Sequence, residues 1–169
     1  MWEGVLIMER EIKFRAMSLS NVHWNPKWVY GYLFKTPLTA ENFEADSFQS
    51  GKNRWCISTD EGVVYEIDIK SLSQFTGLKD KKGKEIYAAS DIFKFTYLEE
   101  LDKKIELIGI FTFSEEDLRY EIDVYGNIRY LCLSYIGNGV FSDFEIIGTK
   151  QENPELLDLR CQWARKYCL

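Results

Sequence analysis

Hydrophobic and polar residues alternate along much of this chain in short runs that end at turn residues. Residues 11–16 alternate without a break, which predicts a half-buried strand with Ile12, Phe14 and Ala16 on its apolar face. Residues 28–34 combine aromatic and β-branched side chains, which favours a second strand.

Further strands follow at short intervals. An aspartate shortly before a glycine marks tight turns within residues 59–62 and 79–83. The remaining predicted strands are residues 55–57, 63–67, 74–76, 85–87, 91–98, 104–113, 118–124, 128–136 and 141–147. Short strands joined by hairpins rather than helices predict a mainly antiparallel β-barrel or β-roll.

The C-terminal residues depart from this pattern. Asn153 suits a helix N-cap and Pro154 the first helical position, which predicts a short helix over residues 153–169. Its apolar stripe and flank contain Leu157, Cys161, Trp163, Ala164 and Cys168. Such a stripe either packs on the barrel or contacts a second subunit.

Composition narrows the class of protein. The 169 residues fit one domain, and 46% hydrophobic content with a net charge of −6 excludes a disordered chain. No run reaches the roughly 18 apolar residues that a membrane-spanning helix needs. The start of the chain lacks the basic region of a secretory signal, so we expect a cytoplasmic protein without membrane contact.

Several kinds of catalytic and metal site are disfavoured. The four cysteines are scattered without a Cys-x-x-Cys pair, and the single histidine, His23, lies in a predicted loop. The acidic groups at residues 99–102 and 115–117 suit hairpin ends better than metal ligands or an acid/base pair. We therefore expect no catalytic residue, no metal and no cofactor.

One turn is strongly basic. Lys79, Lys81, Lys82 and Lys84 lie within six residues of an otherwise acidic chain and are candidates for contact with phosphates or an acidic partner. The alternative is a solvated hairpin tip that discourages edge pairing. A pI near 5.0 argues against strong nonspecific affinity for nucleic acid.

Aromatic residues offer a second kind of candidate. Trp24, Trp28, Tyr30, Phe75 and Tyr87 are possible stacking platforms, although aromatics at alternating strand positions more often fill a core. Trp28 and Tyr30 are therefore kept beside the lysines as candidate partner-binding residues.

Four segments together resemble the YopX family, small proteins encoded by bacterial prophages and other mobile elements. They are residues 10–16 (REIKFRA), 28–31 (WVYG), 73–87 (SQFTGLKDKKGKEIY) and 147–148 leading to 152–157 (ENPELL). The chain departs from the family where an acidic residue and a glycine usually precede the aspartate kept here as Asp91, because Ala88, Ala89 and Ser90 stand there. The resemblance implies an SH3-like β-roll and self-association, but it implies no activity.

These observations define the expectations tested below. The domains expected are an extension over residues 1–7, a YopX-like β-barrel over residues 8–152 and the helix over residues 153–169. The leading hypothesis is a non-catalytic, homo-oligomeric interaction module of the bacterial cytoplasm. A nucleic-acid-binding barrel that uses the lysine hairpin is the alternative, and a metal-dependent hydrolase is the remote one.

Overall fold

The computed structural model describes residues 11–19, 26–36, 54–99, 103–116, 118–124, 129–131, 136 and 139–157. These residues form short strands and one 3-10 turn, η1 (Ile69–Ser71). The strands are β1 (Phe14–Met17), β2 (Trp28–Thr36), β3 (Arg54–Ser58), β4 (Val64–Glu66), β5 (Ser73–Lys79), β6 (Glu85–Tyr87), β7 (Asp91–Glu99), β8 (Lys103–Ser114), β9 (Arg119–Asp123), β10 (Arg129–Leu131) and β11 (Phe141–Thr149).

The strands are arranged in two antiparallel sheets. The first sheet has the order β4-β3-β2-β1-β5-β6, and the second has the order β10-β9-β8-β7-β11. This arrangement confirms the predicted mainly β, antiparallel class. Both sheets are open within the described residues, so closure into an SH3-like barrel stays a prediction.

Each sheet has its own buried core. Ala16, Val29, Ile57 and Ile67 form the smaller core under the first sheet. The larger core is rich in phenylalanine and contains Ile86, Ala88, Phe93, Phe95, Leu107, Phe111, Ile122, Val124, Phe141 and Phe144. Because Ile86 belongs to β6, this second core also attaches the β5–β6 hairpin to the second sheet.

Local alternation predicted the strand of β1 but not the burial of its two faces. Ile12, placed on the apolar face, is exposed and precedes the strand, whereas Arg15 on the polar face is only 2% exposed. Arg15 is buried because another part of the chain covers it, as described below.

Two predicted segments fall largely or wholly outside the described residues. The extension over residues 1–7 is one. The other is the C-terminal helix, of which only Leu156 and Leu157 are described as helical. Within the described part, no helix has the length and apolar character needed to span a membrane.

Candidate partner-binding surface

Arg15 lies at the junction of the two sheets, enclosed by aromatic rings. Its guanidinium carbon is 4.6 Å from the ring centroids of both Trp28 and Tyr87. The same guanidinium donates to Asp91 Oδ1 and, at 2.9 Å, to Ser90 Oγ. We call these five residues the Arg15 cluster. It joins β1 of the first sheet to the start of β7 in the second.

The buried charges of this cluster compensate one another. Burial raises the pKa of Asp91, while Arg15 and the Tyr87 backbone N–H favour the charged carboxylate. That N–H donates to Asp91 Oδ2 at 2.7 Å, so both carboxylate oxygens have a donor. Such hydrogen bonds offset part of the cost of taking the two charges out of water.

The turn after β11 also contacts the Arg15 cluster. Ser90 Oγ donates to Gln151 Oε1 at 3.1 Å, and Trp28 Nε1 donates to Glu152 Oε1 at 3.1 Å. Trp28, a predicted partner-binding residue, is thus half-buried and held in place at the start of β2.

Beyond Trp28, strand β2 presents aromatic side chains to solvent at every second position. Tyr30 is 41% exposed, Tyr32 is 56% exposed and Phe34 is 36% exposed. We call Trp28, Tyr30, Tyr32 and Phe34 the aromatic row. The alternate residue Val29 is buried in the smaller core, with Leu33 packed against it, so the two faces of β2 are both apolar but only one is covered.

The aromatic row contacts the Arg15 cluster through Tyr30. The rings of Tyr30 and Tyr87 meet edge to face, with centroids 5.8 Å apart. Tyr87 is itself held by its hydroxyl, which donates to Glu85 Oε2 at 2.7 Å, and Lys13 Nζ approaches the same carboxylate at 3.3 Å. The start of the aromatic row is therefore fixed, as preorganised binding requires.

The lysine turn between β5 and β6 is docked on the second sheet. Burial favours the neutral form of Asp80, but backbone N–H groups of Lys82, Lys84 and Ile146 bond to its carboxylate and lower its pKa below the usual value. In addition, the Lys81 N–H donates to Phe144 O at 2.8 Å. The hairpin thus covers the outer edge of β11 at Phe144 and Ile146.

Part of the positive charge at this turn is neutralised. Lys81 Nζ and Lys82 Nζ lie 2.7 Å and 2.8 Å from the Glu145 carboxylate, and Lys94 Nζ lies 3.4 Å from it. Hydrogen bonds from Lys81 and Lys82 lower the pKa of Glu145 to about 2. Lys79 and Lys84 are exposed, and no ion pair joins either of them to another described residue.

An open cleft of about 350 Å³ is bordered by residues of both sheets. Phe14 and Gln74 line it from the first sheet, and Phe113 and Tyr120 line it from the second. Tyr120 Oη donates to Gln74 Oε1 at 2.7 Å across the cleft. The cleft is a mainly apolar space without charged lining residues.

Within the described ranges, no group of three or more histidine, cysteine, aspartate or glutamate side chains is placed to hold a metal ion. Glu115 and Glu116 are exposed at the β8–β9 turn, and His23 lies outside the described residues.

The structure separates the predicted site residues. The four lysines lie at one hairpin, as predicted, whereas Trp28 and Tyr30 lie on the aromatic row. Among the other aromatic candidates, Phe75 and Tyr87 are buried, as expected for core residues. Of the predicted oligomer contacts, Leu157 is described and half-buried, whereas Cys161, Trp163, Ala164 and Cys168 lie outside the described residues.

Comparisons with known proteins gave a match to a family model and a match to a solved structure. A family model described as YopX protein matches residues 13–158. A crystal structure of protein EF1440 from Enterococcus faecalis aligns with 87% of this chain and 98% of its own, at 21% identity and a TM-score of 0.43. Comparison with curated proteins gave no match.

Proposed function

This chain belongs to the YopX family, and from that premise we propose that it is a non-catalytic interaction module that recognises partners with its aromatic row. The observation that carries the proposal is the exposure of Tyr30, Tyr32 and Phe34 on one face of β2. Exposed aromatics on a rigid support supply contact area with little loss of side-chain entropy, which is the usual basis of binding hot spots.

The proposal is tested by selecting peptides from a random display library on the immobilised protein. We expect enriched peptides whose binding is lost with Tyr32→Ala and retained with Phe113→Ala. Phe113 is a matched control because it is 52% exposed but belongs to the second sheet. Failure to enrich any peptide, or enriched peptides that ignore Tyr32→Ala, would reject the aromatic row as the binding surface.

We also propose self-association through the predicted C-terminal stripe, in keeping with the family resemblance. Size-exclusion chromatography with light scattering at micromolar concentration tests this directly, and Trp163→Glu is the disruptive variant. An oligomer that dissociates with Trp163→Glu supports the proposal. A strict monomer contradicts it and leaves the role of the aromatic row unaffected.

The family resemblance leads to three further proposals: an SH3-like β-roll, an origin in a bacterial mobile element and a place in the cytoplasm. The first is tested by an experimental structure of the whole chain. The other two are tested by the genomic neighbourhood of the gene and by fractionation of the host cell.

Nucleic-acid binding is the second candidate function, favoured by the exposed Lys79 and Lys84. The Glu145 carboxylate reduces the positive charge available for this binding, because it pairs with Lys81 and Lys82. A gel-shift series with single-stranded DNA should show affinity that falls as salt rises, because binding releases counterions. No shift at low salt, or a shift unchanged by replacing all four lysines with glutamate, would exclude this use of the hairpin.

A further inference from the structure

The open cleft between the two sheets has the size of a small-molecule site. Its volume of about 350 Å³ lies within the range of roughly 300–1,000 Å³ that is usual for ligand pockets. An apolar cavity of about 150 Å³ already takes one benzene ring, so the cleft has room for two fused rings.

The cleft lies where the chain passes from the first sheet to the second. Ala88 and Ala89 line it between β6 and β7. The Ala88 N–H donates to Gln74 O on β5 at 2.9 Å, and the Ala89 N–H donates to Phe111 O on β8 at 2.7 Å. These two bonds hold both sheets to one short segment, whose alanine side chains are too small to fill the space beside it. A ligand in the cleft would therefore contact both sheets.

Aromatic rings line the cleft from both sheets. Phe113 and Tyr120 are cross-strand partners in the second sheet, and their rings meet edge to face with centroids 5.5 Å apart. Phe14 lines the cleft from β1, and its ring contacts no other aromatic ring of the described ranges. Aromatic rings pair best edge to face or offset, so a planar aromatic ligand would gain contacts here that an aliphatic ligand would not.

Gln74 gives this apolar cleft a hydrogen-bond donor. Tyr120 Oη donates to Gln74 Oε1 at 2.7 Å, which fixes the orientation of the amide. Gln74 Nε2 donates to no residue in the described part of the chain, and it is accessible to solvent. The hydroxyl of Ser73, which also lines the cleft, already donates to Ser71 O at 3.0 Å. The amide of Gln74 is thus left to recognise an acceptor on a ligand.

The lining also selects against charge. None of the described residues that line the cleft carries a charged side chain. Moving an ion out of water without a partner of opposite charge is costly. The cleft therefore favours a neutral ligand.

The cleft and the aromatic row are separate surfaces. In the register of β1 with β2, Phe14 is opposite Gly31 and Arg15 is opposite Tyr30. Residues directly opposite each other share a face of the sheet, and successive residues alternate between faces. Phe14 and Tyr30 therefore lie on opposite faces of the first sheet.

We infer that the cleft binds a neutral, planar aromatic molecule of about two fused rings that carries a hydrogen-bond acceptor. Gln74 Nε2 donates to that acceptor, and Phe14 and Phe113 pack against the rings. The cleft is a second site, and its role does not depend on that of the aromatic row.

The test is a titration of the isotope-labelled full chain with three compounds, followed by NMR spectra of the backbone amides. Coumarin is neutral and planar and carries a carbonyl acceptor, naphthalene has the same two-ring shape without a polar group, and 2-naphthoate adds a negative charge. We expect coumarin to bind with a Kd at or below about 1 mM and to shift the amides of Gln74, Ala88 and Ala89. The affinity for 2-naphthoate should be at least about tenfold lower.

Variants assign the binding to named groups. Gln74→Glu keeps an acceptor for the Tyr120 hydroxyl but replaces the Nε2 donor with oxygen, so it should weaken coumarin about tenfold more than naphthalene. Phe113→Ala should weaken both neutral compounds about fivefold. Tyr32→Ala, on the aromatic row, is the matched control and should leave both unchanged. A urea midpoint within about 0.5 M of that of the unmodified chain shows that each variant is folded.

Several outcomes would overturn the inference. Amide shifts that are absent at about 5 mM coumarin would do so, as would 2-naphthoate binding as tightly as coumarin, and neither result needs a variant. Equal weakening of coumarin and naphthalene by Gln74→Glu would show that the amide does not recognise the acceptor.

The same variants separate this inference from the proposed function. Coumarin binding that is lost with Tyr32→Ala and retained with Phe113→Ala would place the compound on the aromatic row and overturn the inference. Coumarin binding that depends on Phe113 and Gln74 supports the inference even where peptide selection rejects the aromatic row.

Discussion

Replacing Asp91 with asparagine removes the negative charge that faces the buried guanidinium of Arg15. The asparagine Nδ2 would in addition face another donor in either orientation of the amide, because Oδ1 of Asp91 now accepts from Arg15 and Oδ2 accepts from the Tyr87 backbone N–H at 2.7 Å. Removing one partner of a buried ion pair costs about 3–5 kcal/mol. Domains are stable by about 5–15 kcal/mol, so Asp91→Asn should remove a large part of the free energy of unfolding.

The assay is urea unfolding followed by tryptophan fluorescence and far-UV circular dichroism. With a slope of about 2 kcal/mol per molar urea, a loss of 3 kcal/mol lowers the midpoint by about 1.5 M. A double-mutant cycle with Arg15→Met isolates the pair, and we expect a coupling of about 2 kcal/mol. Glu115→Gln, at an exposed turn, is the control and should change stability by less than about 0.5 kcal/mol.

A midpoint for Asp91→Asn within about 0.3 M of the unmodified chain would refute this reasoning, since the guanidinium would then lie uncompensated at almost no cost. A coupling below about 0.5 kcal/mol would refute it equally, because the two side chains would be energetically independent.

Three further predictions concern the backbone and the lysine turn. Ala89 has a φ of +61°, so Ala89→Gly should relieve strain and raise stability by about 0.5–1 kcal/mol in thermal melts; a lower melting temperature would contradict this. Gly31→Ala should lower the free energy of unfolding in urea by about 3 kcal/mol or more, because the added Cβ would overlap the Ser58 carbonyl oxygen. An unchanged urea midpoint would contradict this and show that β2 shifts freely. The pKa of Glu145 is lowered in the folded state to about 2 from 4.5, so its stabilisation is present above pH 4.5 and is lost as the pH falls toward 2. Unfolding at pH 6 and pH 3 should therefore show a smaller pH effect for Glu145→Gln, and an equal effect would contradict the assignment.

The strands were predictable because alternation is a local signal. The same signal misplaced Arg15, since its burial depends on Asp91, 76 residues later in the chain. The sequence of residues 11–16 contains no signal for this long-range contact. In the same way, the lysine turn was visible in the sequence, but its pairing with Glu145, 63 residues beyond Lys82, was not.

The aromatic row was only partly predicted. Trp28 and Tyr30 were candidates, but Tyr32 and Phe34 were missed because aromatics at alternating positions were assigned to the interior. A usable signal was present, since Val29 and Leu33 make the opposite face of β2 apolar as well. A strand that is apolar on both faces is usually buried on both. Here only the face of Val29 and Leu33 packs on a described core, and the aromatic face is exposed.

The docking of the β5–β6 hairpin on β11 has a consequence for association between copies of the chain. An uncovered strand edge recruits other chains, and the danger is greatest before folding is complete. Residues 73–87 precede residues 141–149 in the chain, so the hairpin has been synthesised before the strand whose edge it covers. The lysine turn thus makes the outer edge of β11 at Phe144 and Ile146 unavailable for pairing with another chain, whatever partner the protein binds.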